Sequence, residues 1–295
     1  MEIIIKEFKN RDLDFVKRIN FLFYLKIRYQ EEYCNENVFT AMNDKGETVG
    51  VGSLSFDESW YGLDLDSMHK LKFDIAVEED SEFAVLVTSK LIDRFICKYR
   101  DYQKKYPNKK MCICGWCNSD QIDNIQFLLE KGFQMNHVWP VLKYDLSKKI
   151  RHYEIPINIK IKKYPICENN TESYQIATAI ANNGIQDNTG KLCFQTEGES
   201  FRVYAAMDGK KVVGAVTIWD MAEGRSATEN IFIDPEYRGK SIAKEVVATG
   251  LEFLKEAGQK IATLSMSGTN LKAMKVYLSM GYELMYTTIE MQLHV

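Results

Sequence analysis

Five prolines and 17 glycines in 295 residues leave little room for a long linker, a collagen-like tract or a low-complexity segment. No run reaches the roughly 18 apolar residues that a membrane-crossing helix needs. The densest early stretch, Phe21 to Leu25, is closed by Lys26 and Arg28. A secretory leader is not expected either, because Glu2, Lys6 and Glu7 interrupt the place where its apolar region would lie. Excess positive charge is missing as well. With 38 Lys and Arg against 41 Asp and Glu, the net charge is -3, which argues against a general nucleic-acid binder. No membrane and no nucleic acid are therefore expected as partners, and the expected location is the cytoplasm.

What is present is ordinary for a soluble folded chain: 45% hydrophobic and 27% charged residues. The length favours two domains of roughly 150 residues each. Seven cysteines, an odd number scattered along the chain, fit reduced thiols better than a disulfide framework. Cys112, Cys114 and Cys117 lie close together in MCICGWCNS and have the residue type of metal ligands. No second pair and no neighbouring His completes a tetrahedral site, and Cys112 and Cys114 alternate with Met111 and Ile113 as a buried strand would. The strand reading is favoured, and no metal is expected.

The chain repeats itself. FTAMNDKGETVGVGSLSF, ending at Phe56, and VYAAMDGKKVVGAVTIWD, ending at Asp220, are both alternating hairpins, with Val49-Gly50 set against Val213-Gly214. IDNIQFLLEKGFQM and LKAMKVYLSMGYEL are both amphipathic helices stopped by a glycine and followed by an aromatic, with Gly132-Phe133 set against Gly281-Tyr282. Two copies of one module are expected, residues 1–148 and 149–295. Each copy reads as strand, one or two helices, hairpin, strand, long helix, strand, helix and two closing strands. That order makes a mixed α/β sheet flanked by helices. In the second copy ESYQIATAIANNG reads as a helix, and Ala243, Val247, Leu251 and Leu254 share one face of the long helix that Gly258 ends.

The richest segment runs from Glu229 to Val247. A strand ends at Ile233, Asp234-Pro235 breaks it, and a short turn leads into a helix. A helix N-terminus offers free N–H groups and partial positive charge, and Arg238, Lys240 and Lys244 add cations. Gly239 keeps a Cβ out of the way of an approaching ligand. The combination suits a pyrophosphate. Ile233-Asp234-Pro235 followed by Arg238-Gly239-Lys240-Ser241-Ile242-Ala243 resembles the acyl-CoA turn of the GNAT superfamily of N-acetyltransferases, R/Q-x-x-G-x-G/A. Asn270, Ala273, Tyr277, Gly281 and Tyr282 follow in that family's order. The resemblance is close from Phe201 to Val295 and extends to the first half in outline. Ser241 departs from the usual glycine. With positive φ it would cost about 1–2 kcal/mol, and with negative φ its hydroxyl could donate to a phosphate.

The resemblance implies two tandem GNAT-like domains. It also implies acetyl-CoA as co-substrate and transfer of the acetyl group to a primary amine by direct attack in a ternary complex. By it, the backbone of Ile231, Phe232 and Ile233 would pair with pantetheine, and the amides of Gly239, Lys240, Ser241, Ile242, Ala243 and Lys244 would hold the pyrophosphate. Asn270 would bond the pantetheine chain, or else simply cap the next helix. Tyr277 would protonate the leaving thiolate, or else be core beside Ala273 and Met280. Glu229, which alternation places on one face with Ile231 and Ile233, would accept the amine proton, unless ordered water does so.

The first copy lacks these features. At its turn it has Glu78, Glu79, Asp80 and then Glu82, which would repel a diphosphate, and Leu128 and Gln121 stand where the second copy has Tyr277 and Asn270. It is expected to keep the fold without binding CoA, with an insertion carrying Trp60, Tyr61 and His69 beside it. The competing reading is a non-catalytic acyl-CoA sensor or interaction protein. Either would act as a monomer or homodimer on an amine acceptor that the sequence does not identify.

Overall fold

The repeated hairpins and glycine-stopped helices fold as the alternation and the 3.6-residue spacing require. The computed structural model describes residues 2–29, 35–56, 68–78, 83–164, 176, 178–179, 201–220 and 225–294. Helix ESYQIATAIANNG, apart from Ile176, Thr178 and Ala179, lies outside the described residues. So do Trp60 and Tyr61, and Glu79, Asp80 and Glu82. In chain order the first half forms β1 (Ile4–Glu7), α1 (Leu13–Ile19), α2 (Phe21–Tyr29), β2 (Val38–Met42), β3 (Thr48–Phe56) and β4 (His69–Val77). It continues with α3 (Ala84–Lys105), β5 (Met111–Asn118), α4 (Ile122–Glu130) and β6 (Gln134–Asp145). The second half forms β7 (Ile159–Tyr164), β8 (Arg202–Asp208), β9 (Lys211–Asp220), β10 (Arg225–Ile233), α5 (Ile242–Glu256), β11 (Ile261–Ser265), α6 (Leu271–Met280) and β12 (Glu283–Leu293).

The chain divides into two units, one of Met1–His137 with Ile289–Val295 and one of Val138–Thr288. This division differs from a cut at residue 148, because the closing strands change sides. Residues Val141 to Asp145 of β6 pair antiparallel with β11, Val141 opposite Ser265 and Asp145 opposite Ile261. Leu142 and Tyr144 pack in the core of the second unit with Val216, Ile218, Leu251 and Leu264. Met291 and Leu293, at the end of β12, pack in the core of the first unit with Leu71, Phe95, Ile113 and Phe133. The buried Glu290 carboxylate accepts from Lys70 Nζ at 2.7 Å and from Gln292 Nε2 at 2.6 Å there. The closing segment YELMYTTIEMQLHV is one long strand rather than a pair, since it has no Gly, Pro, Asn or Asp with which to turn.

In the second unit β7, β8, β9 and β10 form an antiparallel run, and β10 then pairs parallel with β11. The helix α5 covers this sheet. Its buried stripe is Ile242, Val246, Val247, Leu251 and Leu254, with Ala243 at the margin. Each fully buried Val, Ile or Leu contributes about 1.5–3 kcal/mol relative to exposure. The helix lies so close to β9 that a Cβ on Gly250 would stand 2.6 Å from Ile218 Cδ1. Packing of this density fixes where the N-terminus of α5 points. In the first unit Cys112 and Cys114 lie fully buried on β5, as the alternation with Ile113 suggests, and burial pushes the Cys114 thiol up.

Candidate active site

The second unit opens a wedge in its sheet. β10 pairs with β11 only over Arg225, Ala227 and the residue between them, whereas β11 stays paired with β6 as far as Ser265. Beyond Ala227 the edge of β10 facing β11 has no strand partner among the described residues. The cause lies on the other edge. Against β9, Glu229 stands opposite Thr217 and Phe232 opposite Ala215, so Asn230 and Ile231 together face one residue, a β-bulge. Asn230 takes φ 51°, a left-handed conformation that Asn tolerates better than most residues, and its Nδ2 donates to Thr217 Oγ1 at 3.5 Å. A bulge bends and twists its strand, and β10 leaves β11 at this point.

The bulge changes which residues share a face. Simple alternation puts Glu229, Ile231 and Ile233 together. In the observed register Glu229 shares its face with Phe232, while Ile233 shares the other with Thr228. Glu229 is half-buried and remains at the head of the wedge. The signal for the bulge was one residue: Asn230 is the only one in ATENIFI that favours positive φ.

At the end of β10 the chain makes a single 3-10 turn, Pro235–Tyr237, and enters α5 through two left-handed residues, Gly239 at φ 78° and Ser241 at φ 57°. Ser241 is the residue before the helix, is exposed, and makes no capping hydrogen bond with its side chain. Of the two conformations open to Ser241 in the sequence, the strained one is adopted. The first amides of α5 have no partner in the helix; the first backbone bond across its start is Glu245 N–H to Ser241 O at 3.1 Å. A Cβ on Gly239 would meet no atom within 4 Å, so free space lies beside this backbone. Arg238 Nε donates to Ile233 O at 3.0 Å, tying the turn to the end of the strand. Lys240 lies over the Tyr237 ring and Lys244 over the Tyr153 ring.

The segment after β6 holds α5 from outside. Glu245 accepts from the Tyr153 amide at 2.6 Å and contacts His152 Nδ1 at 2.9 Å, and His152 Nε2 lies 3.6 Å from Glu252. The hydrogen bond to Glu245, above all, holds the His152 pKa above its ordinary 6.5.

Asn270 caps α6, its side chain accepting from Ala273 N at 3.2 Å. That leaves the amide nitrogen of an exposed side chain for a ligand. Tyr277 lies on the inner face of α6, buried, with its ring edge-on to Tyr282 at 5.7 Å. Burial pushes its pKa up to about 12. No hydrogen bond to its hydroxyl occurs among the described residues. Tyr282, fully enclosed, is raised by burial too.

The first unit handles the same positions differently. The register of β3 with β4 runs unbroken from Gly50 opposite Val77 to Phe56 opposite Leu71, without a bulge. β4 also leaves β5, after Lys72, but Phe73 fills the gap. It lies so close across β5 that a Cβ on Gly115 would come within 2.1 Å of its ring, and it packs on Phe95 and Phe133. Asp74, opposite Ser53 as Glu229 is opposite Thr217, is held by Lys26 at 2.7 Å. Glu78 pairs with Arg18.

Residues 166–282 match the model of the acetyltransferase (GNAT) family. Human N-acetyltransferase 8B is 36% identical over 73 residues, 24% of this chain and 32% of that protein. Rat N-acetyltransferase 8F1 is 32% identical over 85 residues, 27% of this chain and 38% of that protein. The matched segment thus spans about a third of the length of these curated relatives. Among solved structures, a GCN5-related N-acetyltransferase from Sphaerobacter thermophilus aligns with a TM-score of 0.67 at 11% identity, over 99% of this chain and 95% of that one. A tandem GNAT protein from the clavulanic acid biosynthesis pathway aligns with a TM-score of 0.69, also at 11% identity, over 99% and 98%. At such identities the likeness is one of fold, and it runs the length of the chain. The match to the GNAT acetyltransferase family thus lies in the second half of the chain, residues 166–282, and the likeness of fold to GNAT proteins extends over nearly all of it.

Proposed function

We propose that the second unit transfers an acetyl group from acetyl-CoA to a primary amine by direct attack in a ternary complex, and that the first unit keeps the fold without binding CoA. The observation that carries this reading is the wedge leading to the α5 turn. An open strand edge suits an extended amide-bearing arm, and at its end stand free helix amides and three cations. Ile231, Phe232 and Ile233 would pair with pantetheine, and the Gly239–Lys244 amides with Arg238 would hold the pyrophosphate. The Asn270 nitrogen would reach the pantetheine chain while its oxygen keeps the cap. Acetyl-CoA supplies an acetyl thioester. Backbone N–H groups at the bulge polarise its carbonyl. As the amine lone pair forms the N–C bond and the C–S pair leaves on sulfur, Tyr277 gives its proton to the thiolate. Glu229 or a water it holds takes the proton from nitrogen. Burial raises thiol pKa values as well as phenols, which narrows the gap between Tyr277 and the departing sulfur.

Titration calorimetry with thiol-release assays tests the reading. Wild type should bind one CoA per chain, and Arg238→Glu should weaken binding by about tenfold or more, through a like charge beside the pyrophosphate. Two CoA per chain would overturn the silent first unit, and no binding would overturn the whole scheme. A serine kept at a left-handed position where glycine is usual favours a second reading, an acyl-CoA sensor; tight binding without thiol release over a broad amine panel would establish it.

A further inference from the structure

The two copies keep one surface alike while differing at the site. With Gly132 set against Gly281, Ile122, Leu129 and Met135 correspond to Leu271, Leu278 and Leu284. All six are exposed to matching degrees: 63%, 45% and 57% in the first unit, and 63%, 48% and 59% in the second. Two apolar side chains seven residues apart form a stripe on the outer face of each helix. A solvated helix face has no use for such a stripe, and repeated apolar patches mark contact surfaces.

The flanks of the stripes differ in sign. α4, IDNIQFLLE, carries Asp123 and Glu130 and no cation. α6, LKAMKVYLSM, carries Lys272 and Lys275 and no anion. The nearby Lys131 is already paired with Asp93 at 2.7 Å, and Gln126 donates to Glu130 at 3.0 Å along the helix.

Helix geometry then selects an orientation. At about 100° per residue, both charged flanks lie on the same-handed side of their apolar stripe. Facing helices bring such flanks together only when antiparallel; a parallel pair puts them on opposite sides. With Ile122 against Leu278 and Leu129 against Leu271, a rise of about 1.5 Å per residue leaves Glu130 and Lys272 offset by about 3 Å along the axis. Asp123 and Lys275 are offset by the same amount. Long side chains span that easily. Both faces are exposed in the same chain, so the partner must be another molecule.

We propose that α4 of one copy docks antiparallel on α6 of a second copy of this chain, through Ile122 with Leu278, Leu129 with Leu271, Glu130 with Lys272 and Asp123 with Lys275. The contact is small and charge-assisted, so the association is weak and sensitive to salt.

Sedimentation velocity on the full chain tests it with two variants. Asp123→Lys with Glu130→Lys makes both helices basic, and Lys272→Glu with Lys275→Glu makes both acidic. Wild type should associate progressively at micromolar concentrations in low salt. Each variant alone should be at least about tenfold weaker, because like charges then meet. The two variants mixed should associate again, since each restores the opposite sign to the other. Melting temperatures equal to wild type show that both variants fold. A wild type that stays monomeric throughout, a variant that self-associates like wild type, or a mixture that stays apart would each overturn the proposal.

Discussion

Replacing Ser241 by glycine should stabilise the protein. Ser241 sits at φ 57° and ψ 6°, where its Cβ crowds the following carbonyl, at a cost of about 1–2 kcal/mol for an L-residue. Nothing offsets that cost, because the side chain is exposed and makes no capping bond. Glycine removes the crowding but enlarges the unfolded ensemble, which costs about 0.5–1 kcal/mol. The net gain for Ser241→Gly is therefore about 0.5–1 kcal/mol, or about 1–3 °C in melting temperature for a chain of this size. Ser241→Ala is the control. It keeps the Cβ and its strain, so its stability should stay within about 0.5 kcal/mol of wild type. Urea titrations of the three proteins, compared at equal m-value, give the differences directly. A glycine variant less stable than wild type would show that the hydroxyl has a partner or that the turn is not left-handed, and the account of the turn would fail. CoA affinity should be unchanged or slightly tighter, since the amide cradle is the same and less strained.

Two further outcomes follow from the same geometry. Tyr277→Phe should lower kcat by about 10²–10⁴-fold at unchanged CoA affinity, as loss of an acid does. Its melting temperature should hardly move, because the hydroxyl has no partner to orphan among the described residues. With the pKa near 12, ionisation of Tyr277 should cause no decline of kcat up to pH about 10, and a change in kcat below threefold would remove the acid role. For His152, the folded pKa lies above 6.5, so its contribution to stability is complete below that pH and is lost as pH rises through the folded value. Melting temperature should therefore fall more steeply above pH 6.5 in wild type than in His152→Gln, and parallel curves would show that the Glu245 and Glu252 contacts do not hold α5.

The repeat was legible because it is written in local chemistry: Asp-Gly hairpin turns, glycines at helix ends, and a Pro and a Gly around the α5 turn. The turn was legible for the same reason, down to the two options for Ser241 that the backbone angle then decided. The bulge was not. ATENIFID looks like a regular strand, and an inserted residue shows only against its neighbour, here Thr217 and Ala215 of β9. Pairings such as Val141 with Ser265 join residues far apart in the chain, so no local pattern announces them. The missing turn in YELMYTTIEMQLHV was visible, yet a strand of 11 residues is about twice the usual length, and the expectation of a pair prevailed. Tyr277 shows why buried polar groups resist sequence reading: the same helical face serves a core residue and an acid, and the side chain is in fact enclosed.

The exchange of closing strands bears on how such a gene can evolve. A duplicated module usually frees one copy to decay or be deleted. Here deletion of the first copy would strip β11 of its neighbour and remove Leu142 and Tyr144 from the core beneath α5. An expression fragment starting after Leu146 would have the same defect, with a bare strand edge beside an opened core, the setting for aggregation. Truncation at the other end would take Met291 and Leu293 from the first unit. Each copy thus supplies residues to the core of the other unit, so neither can be removed without opening the one that remains.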